Sequence, residues 1–335
     1  MTIKKGEIIY DKKCKQYFVK IGPKQYPLNL TNDRDQNKGI SWGPGDLAEF
    51  RLEKDRSGRE IAKLVREISK RLPKDTNGVL GEKPRIVNFG LALNKVVSVR
   101  KGKIVFGLSE VERVLDINKI GNNIPHRLKV AYEAAGFVVT TMVFKTDWRL
   151  VVGLGGASVH ETSMTLHHVY GIPYIPGSAV KGTLRSWIIS EVFDNDENLA
   201  LNDPGFCRIF GSPEKSVLEA YQGNVWFADA LPVDKLVIRK DVMSPHFGSY
   251  YRNGRQGIPP SDGENPVPIT FLTVKNGQFQ ILLAIRDEDN TAIESGMFSG
   301  QTPLEVATQY LPEVLEEHGI GAKTSAGYGY MSRIE

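Results

Sequence analysis

The chain has 335 residues, of which 41% are hydrophobic and 24% charged, and its formal net charge is +4. These are the proportions of a folded chain with a substantial core, long enough for about two domains, and they exclude disorder throughout. The two cysteines, Cys14 and Cys207, stand far apart, which excludes a disulfide scaffold and a cysteine-rich zinc site and fits a reducing compartment.

No stretch approaches the roughly 20 apolar residues that span a bilayer. The opening run MTIKKGEIIYDKK lacks the apolar centre of a signal peptide. The expectation is a cytoplasmic protein with no membrane contact. The net charge hides a split. Residues 1–136 carry 28 Lys and Arg against 16 Asp and Glu, a balance of +12; residues 137–335 carry 15 against 23, a balance of −8. A basic first part suits a polyanionic partner, although a solubilising face has the same composition.

In chain order, residues 1–72 are β-prone. Short runs at 8–10, 17–21 and 25–30 are separated by Lys/Asp and Gly-Pro turns. After Gly43-Pro44-Gly45-Asp46, LAEFRLEKD alternates, with Leu47, Glu49 and Arg51 on one face and Ala48, Phe50 and Leu52 on the other. A turn at 56–59 leads into EIAKLVREI. Five short strands with tight turns predict a small all-β barrel. GEIIYD, YFVKI and PGDLAEFRLEKDRSGREIAKLV resemble a cold-shock/S1-type OB fold. That resemblance implies single-strand binding by exposed aromatics beside basic side chains, here Tyr17, Phe18 and Trp42 with Lys15 and Lys20. The same rings serve equally as core residues, and the family's Phe-rich second strand is reduced to Tyr17-Phe18.

Residues 73–84, PKDTNGVLGEKP, have linker composition. Strand-like runs follow at 86–93, 96–99 and 104–106, then a short helix at 126–135 stopped by Gly136. Residues 137–152 form a long β-prone run. In GIPYIPGSAVKGTLRSWIISEVF the apolar spacing turns helical, with Val180, Leu184, Trp187 and Ile188 on one face and Ser178 as N-cap. Strands are predicted at 224–228, 268–273 and 279–285, a helix at 303–317 that opens on Pro303, and a closing strand at 328–334. The order β-α-β-β-α-β is the ferredoxin-like plan. The predicted domains are therefore 1–72, a linker at 73–84, and 85–335.

Two segments suit phosphate. In GIGAKTSAGYG, Gly319, Gly321 and Gly327 let backbone N–H groups approach an anion, Lys323 adds charge, and Thr324 and Ser325 add hydroxyls. A glycine-rich helix C-cap with no ligand has the same sequence. At the helix start, Gly177 and Ser178 offer first-turn amides, and Lys181 and Arg185 project from one side. Thr183 stands where a P-loop needs lysine, which excludes nucleotide hydrolysis by that motif. Lys323 replaces the first glycine of a nucleophile elbow around Ser325. His160-Glu161 lacks the spaced histidine of a zinc protease, and the adjacent His167 and His168 do not share a metal easily. The loop DVMSPHFGSYYRNGRQG offers His246, Tyr250, Tyr251, Arg252 and Arg255 for stacking and phosphate contact.

Taken together, NFGLALNKV, YGIPYIPGSAVKGTLR, FGSP, GNVWFADALP, DVMSPHFGSYY, NPVPITFLTV and GIGAKTSAGYGYM closely resemble, in order over about 85–335, the RAMP proteins of CRISPR systems. More narrowly they are similar to the sixth-subunit family of the type III-B (Cmr) effector complex. The resemblance implies an α+β chain: a ferredoxin-like/RRM-like RAMP domain preceded by the small OB-like barrel. It implies CRISPR RNA, target single-stranded RNA and other Cmr subunits as partners. It also implies a capping position near the 3′ end of the guide, no cofactor, no metal and no catalysis by this chain. The acidic second part then becomes a subunit-facing surface. The competing expectation is an RNA-cleaving RAMP enzyme, with His246 as general base or Asp241 as carboxylate.

Overall fold

The computed structural model describes residues 3–11, 16–27, 46–54, 58, 60–68, 70–71, 88–95, 97–100, 103–105, 112–120, 123–158, 160–245, 247, 250 and 265–334. The chain is a mixed α/β protein of two compact units, one formed by Met1–Ile86 with Leu91–Gly107 and the other by Val87–Gly90 with Leu108–Glu335.

The first unit holds strands β1 (Ile3–Asp11), β2 (Gln16–Ile21), β3 (Lys24–Pro27), β4 (Asp46–Lys54) and β5 (Glu60–Ile68). They form one antiparallel sheet in the order β3-β2-β1-β4-β5. Val19 is fully buried, whereas its neighbour Lys20 is exposed, as strand alternation requires. The register shifts between Glu49 and Phe50, where Val65 of β5 is left without a partner, which marks a bulge in β5. The edge strands β3 and β5 come close, yet no hydrogen-bonded ladder joins them among the described residues. The sequence predicted a barrel; among the described residues no closed barrel is found, and the edge strand β3 spans only 4 residues. The short strands β6 (Lys70–Arg71), β7 (Val97–Arg100) and β8 (Lys103–Val105) form a separate ribbon. The predicted linker at 73–84 lies outside the described residues.

The run 86–93, expected as a strand, turns into helix α1 (Phe89–Lys95). Leu, Ala and Lys favour that state, and Asn88 fastens its start by donating to the Val169 carbonyl at 2.9 Å. After β9 (Glu112–Leu115) come α2 (Ile117–Ile120) and α3 (Ile124–Ala134). Strand β10 (Phe137–Thr146) and the short β11 (Arg149–Leu150) follow, separated by a turn at 147–148. The predicted helix is α4 (Gly177–Glu191), with Val180, Leu184, Trp187 and Ile188 buried on the anticipated face. Two short helices escaped the sequence reading, α5 (Glu197–Leu201) and α6 (Pro204–Phe210). Their signals were present: Asp196 accepts the amides of Asn198 and Leu199, and Asp203 that of Phe206.

The strands β12 (Gly211–Ser212) and β13 (Tyr221–Gln222) make a small hairpin. Next come β14 (Trp226–Phe227), β15 (Leu231–Pro232), β16 (Leu236–Met243), β17 (Ile269–Lys275) and β18 (Gln278–Arg286). Helix α7 (Pro303–Glu317) and strand β19 (Met331–Arg333) complete the unit. The main sheet has the antiparallel order β14-β18-β10-β19, and a second runs β11-β17-β16-β9. Strand β18 is central and buried on both faces. Leu282 and Ala284 meet Leu128 and Tyr132 of α3, while Ile281, Leu283 and Ile285 point to the opposite face. Helices α4 and α7 pack on each other, α4 against β14 and α7 against β18 and β19.

Helix α7 opens with a reciprocal cap. The Thr302 hydroxyl accepts the Glu305 amide at 3.3 Å, and the Glu305 carboxylate accepts the Thr302 amide at 2.7 Å. Thr302→Ala is expected to lower unfolding free energy by about 1 kcal/mol, and Thr302→Asp to keep most of it. Urea denaturation followed by circular dichroism checks this; equal midpoints for all three proteins would refute the cap's contribution.

Candidate nucleic-acid interface

The glycine loop is laced onto the strand that runs beside it. Gly329 donates to the Arg149 carbonyl and Ala322 to the Val151 carbonyl, both at 2.8 Å, while Asp147 donates to Tyr330 at 3.0 Å. Several glycines serve this lacing. Gly319, at φ +73, stands directly after the α7 C-cap His318, the left-handed position that ends a helix. A Cβ at Gly321 would lie 2.4 Å from the Val151 carbonyl oxygen, and one at Gly329 would lie 2.0 Å from that of Ile320. Gly327 is left-handed with open space beside it.

The lacing leaves a definite set of donors. The amides of Ile320, Ala322, Ala326, Gly327, Tyr328 and Gly329 are all consumed within the chain. Those of Gly321, Lys323, Thr324 and Ser325 have no partner among the described residues. Lys323 itself is left-handed at φ +64, uncommon for a side chain of its size, and opens a 3-10 turn at Thr324–Ala326. Its ammonium lies 5.5 Å from the centre of the Phe271 ring, and it forms no ion pair among the described residues. Successive unpartnered amides beside a cation are an anion-binding arrangement.

Behind the loop, Asp241 on β16 accepts from three donors: the Arg149 guanidinium, the Tyr328 hydroxyl at 2.8 Å and the Val242 amide at 2.9 Å. Tyr328 lies 4.7 Å from the Trp148 ring and 5.9 Å from Phe271. Burial, and then the hydrogen bond to Asp241, push the Tyr328 hydroxyl up to about 12 from its ordinary 10.0. Trp148 is 46% exposed, with the Arg149 guanidinium 5.2 Å from its ring. Neither Trp148 nor Arg149 was singled out from the sequence.

At the start of α4 the structure departs from expectation. Pro176, extended at ψ 138°, occupies the N-cap position, and Ser178 caps nothing. The cap comes from elsewhere in the fold: Asp229 accepts the Gly177 amide at 2.8 Å. Gly177 is required there because a Cβ would stand 2.0 Å from the Phe227 carbonyl oxygen. Arg185 is committed to Glu197 at 2.6 Å and lies 5.3 Å from the Phe206 ring. Lys181 carries no ion pair among the described residues and lines a pocket of about 200 Å³ with Ser178, Gln222 and Trp226. Desolvation, and then the neighbouring Arg185, lower its pKa.

A family model described as the RAMP superfamily matches residues 142–332, more than half of the chain. The chain belongs to the RAMP superfamily. Among curated proteins it is 36% identical to the CRISPR system Cmr subunit Cmr6 of Pyrococcus furiosus, over 56% of this chain and 65% of the relative. It is 27% identical to the corresponding Saccharolobus solfataricus subunit, over 65% of this chain and 66% of the relative. The matches thus span just under two thirds of either relative's length. Two solved structures also align. One is a type III-B Cmr-beta complex bound to cognate target RNA, at 22% identity, TM-score 0.46, covering 66% of this chain and 69% of that one. The other is a crystal structure of Cmr6 from Pyrococcus furiosus, at 31% identity, TM-score 0.36, covering 59% of this chain and 99% of that one.

Within this RAMP chain the candidate groups separate. The α4 start packs at β14 and the glycine loop leads into β19, the two ends of the order β14-β18-β10-β19 in the five-stranded sheet, in which β15 also pairs with β18. Three strand spacings, about 14 Å, lie between those ends. Tyr250 is 40% exposed, whereas His246, Tyr251, Arg252 and Arg255 lie outside the described residues. So do Trp42 and the side chain of Tyr17; Phe18 is half-buried on β2, opposite Ile9 and Pro27. His167 and His168 sit in a turn, and among the described residues no cluster of three or more His, Cys, Asp or Glu could hold a metal ion. Nor is any helix among them long and apolar enough to cross a membrane.

The sign of the Tyr328 shift sets a pH window. A tyrosine whose folded pKa is raised adds stability that is full below its unfolded value and is lost as pH climbs through the folded one. Stability is therefore expected to fall between pH 10 and about 12. Tyr328→Phe should flatten that fall and remove a late step from the ultraviolet titration of tyrosinate; an unchanged profile would contradict the assignment.

Proposed function

We propose that this chain is a non-catalytic RNA-binding subunit of a type III-B (Cmr) ribonucleoprotein, capping the filament near the 3′ end of the CRISPR RNA and helping to hold the guide–target duplex. The carrying observation is the row of amides at Gly321, Lys323, Thr324 and Ser325, without partners among the described residues, beside the Lys323 ammonium, which forms no ion pair among them. The identity of its two Cmr6 relatives supports the assignment to that complex. Guide RNA, target RNA and sister Cmr subunits are then its partners, and the cytoplasm its compartment. Lys181, the exposed Tyr250 and the basic loop that follows it in sequence are further RNA contacts of the second unit, and Phe18 with its basic neighbours is a separate contact on the first unit.

The finer fold assignments belong to the same proposal. A ferredoxin-like plan is supported by the sheet order β14-β18-β10-β19 with α4 and α7 as its two crossovers. An OB-like plan for the first unit is supported by the order β3-β2-β1-β4-β5 and the approach of β3 to β5, in a sheet that remains open. Domain limits near residues 72 and 85 remain part of this reading.

The absence of catalysis is supported by the state of Asp241. Its carboxylate is taken up by Arg149, Tyr328 and a backbone amide, which suits a structural anchor better than a general base. Incubating the purified chain with guide and target RNA is expected to leave both intact. Cleavage that disappears in His246→Ala or Asp241→Ala would establish the enzyme reading instead.

RNA affinity is expected to fall steeply with salt, through counterion release. Lys323→Ala should reduce the slope of log affinity against log salt by about one unit. Fluorescence anisotropy across a salt series measures it. An unchanged slope would remove Lys323 from the phosphate path.

A further inference from the structure

A groove of about 580 Å³ lies between α3, the turn at 167–170 and the segment 227–231. That is the size range of small-ligand sites. Four rings line it, Tyr132, His167, Tyr170 and Phe227, with Arg127 and Asp229 as its charged groups; the rest of the lining is aliphatic.

We propose that this groove receives a single unstacked nucleobase of RNA, one bearing an exocyclic amino group: adenine, cytosine or guanine. The proposal rests on the RNA-binding reading above and adds a base-reading site to it. The rings supply the stacking surface. His167 and Tyr170 lie 4.7 Å apart and tilted at 34°, and Tyr174 braces His167 edge-on at 5.8 Å and 69°. Flat bases splayed from a single strand stack on such rings regardless of sequence.

The carboxylate supplies the selectivity. Asp229 spends Oδ1 on the Gly177 amide at 2.8 Å, and Oδ2 has no hydrogen-bond partner among the described residues. An acceptor in that place attracts an amino group and repels the carbonyl oxygen that uracil presents in its stead. The cation supplies the backbone contact. Arg127 is exposed on α3 and forms no ion pair among the described residues, whereas Lys129 on the same helix is tied to Glu133 at 3.6 Å. The groove is fixed, because Leu128 and Tyr132 anchor α3 on Ala228, Leu282 and Ala284 of the sheet. An apolar peptide side chain would use the rings and leave both charges idle, so a base with its phosphate fits the whole lining.

The test uses the full chain and short labelled oligomers of adenylate, cytidylate and uridylate at one fixed salt concentration. Adenylate and cytidylate are expected to bind about tenfold more tightly than uridylate, the scale of one hydrogen bond to a charged group. Tyr170→Ala should weaken binding of all three and, with the base no longer held in the groove, erase the difference between them. Asp229→Asn keeps an oxygen for the Gly177 amide and replaces the other with an amide donor, so it should reverse the preference towards uridylate without lowering the melting temperature. Equal affinities for all three oligomers in the unaltered chain would overturn the base site while leaving RNA binding in place. A preference that neither substitution changes would overturn it too. Failure to bind any oligomer would remove the RNA-binding reading itself, and this proposal with it.

Discussion

The carboxylate of Asp241 is the point on which the second unit's candidate interface turns. It lies on β16, its guanidinium partner Arg149 on β11, and its hydroxyl partner Tyr328 on the glycine loop. Two strands of one sheet and the loop that leads into the other are thereby fixed to a single group. A partly buried ion pair adds little net stability, since desolvation offsets much of the attraction. What it adds here is position. With Arg149 held, its carbonyl meets the Gly329 amide, and two residues on, Val151 meets Ala322. The unpartnered amides then occupy a defined place instead of fluctuating with the turn.

The glycines of that loop carry two meanings at once. Gly321 and Gly329 let one backbone approach another, which is the structural reason a Cβ cannot be accommodated there. This same close packing consumes the amides on either side and leaves those of Gly321, Lys323, Thr324 and Ser325 without a partner among the described residues. Structural and ligand-directed explanations of a glycine-rich turn are thus compatible, residue by residue. At the other edge of the sheet the balance differs. The first free amide of α4 is already satisfied by Asp229, so the helix end offers an anion less than its sequence suggested, and Lys181 is the group left available there.

Local pattern made much of the second unit legible. Helix α7 falls on its predicted limits, α4 buries the anticipated face, and the long strands β10, β17 and β18 follow apolar runs in the sequence. What escaped was set by partners distant in sequence. Asp229 caps a helix that begins 52 residues earlier, a contact invisible to any local window, and Ser178 therefore gave a false signal. Arg149 and Trp148 matter only because β11 lies beside β17, close to Asp241. The strand expected near residue 86 became α1 because Leu, Ala and Lys outweighed a brief β-branched start. In the first unit the five strands were recoverable from the turns, but the predicted closure was not: no ladder joins β3 to β5 among the described residues, and turns carry no signal for a pairing between strands so far apart in the chain.

Strand β10 finds its neighbour β19 across most of the second unit's sequence, in the pairing of Phe144 with Arg333. Contacts of such separation form late, because the intervening chain must be ordered before they repay its entropy. A folding intermediate that has assembled β10 with β18 alone consequently has a core but no amide row. On the RNA-binding reading proposed above, a growing chain is compact before its glycine-loop grip exists, and completes that grip only when its last sheet strand zips into place.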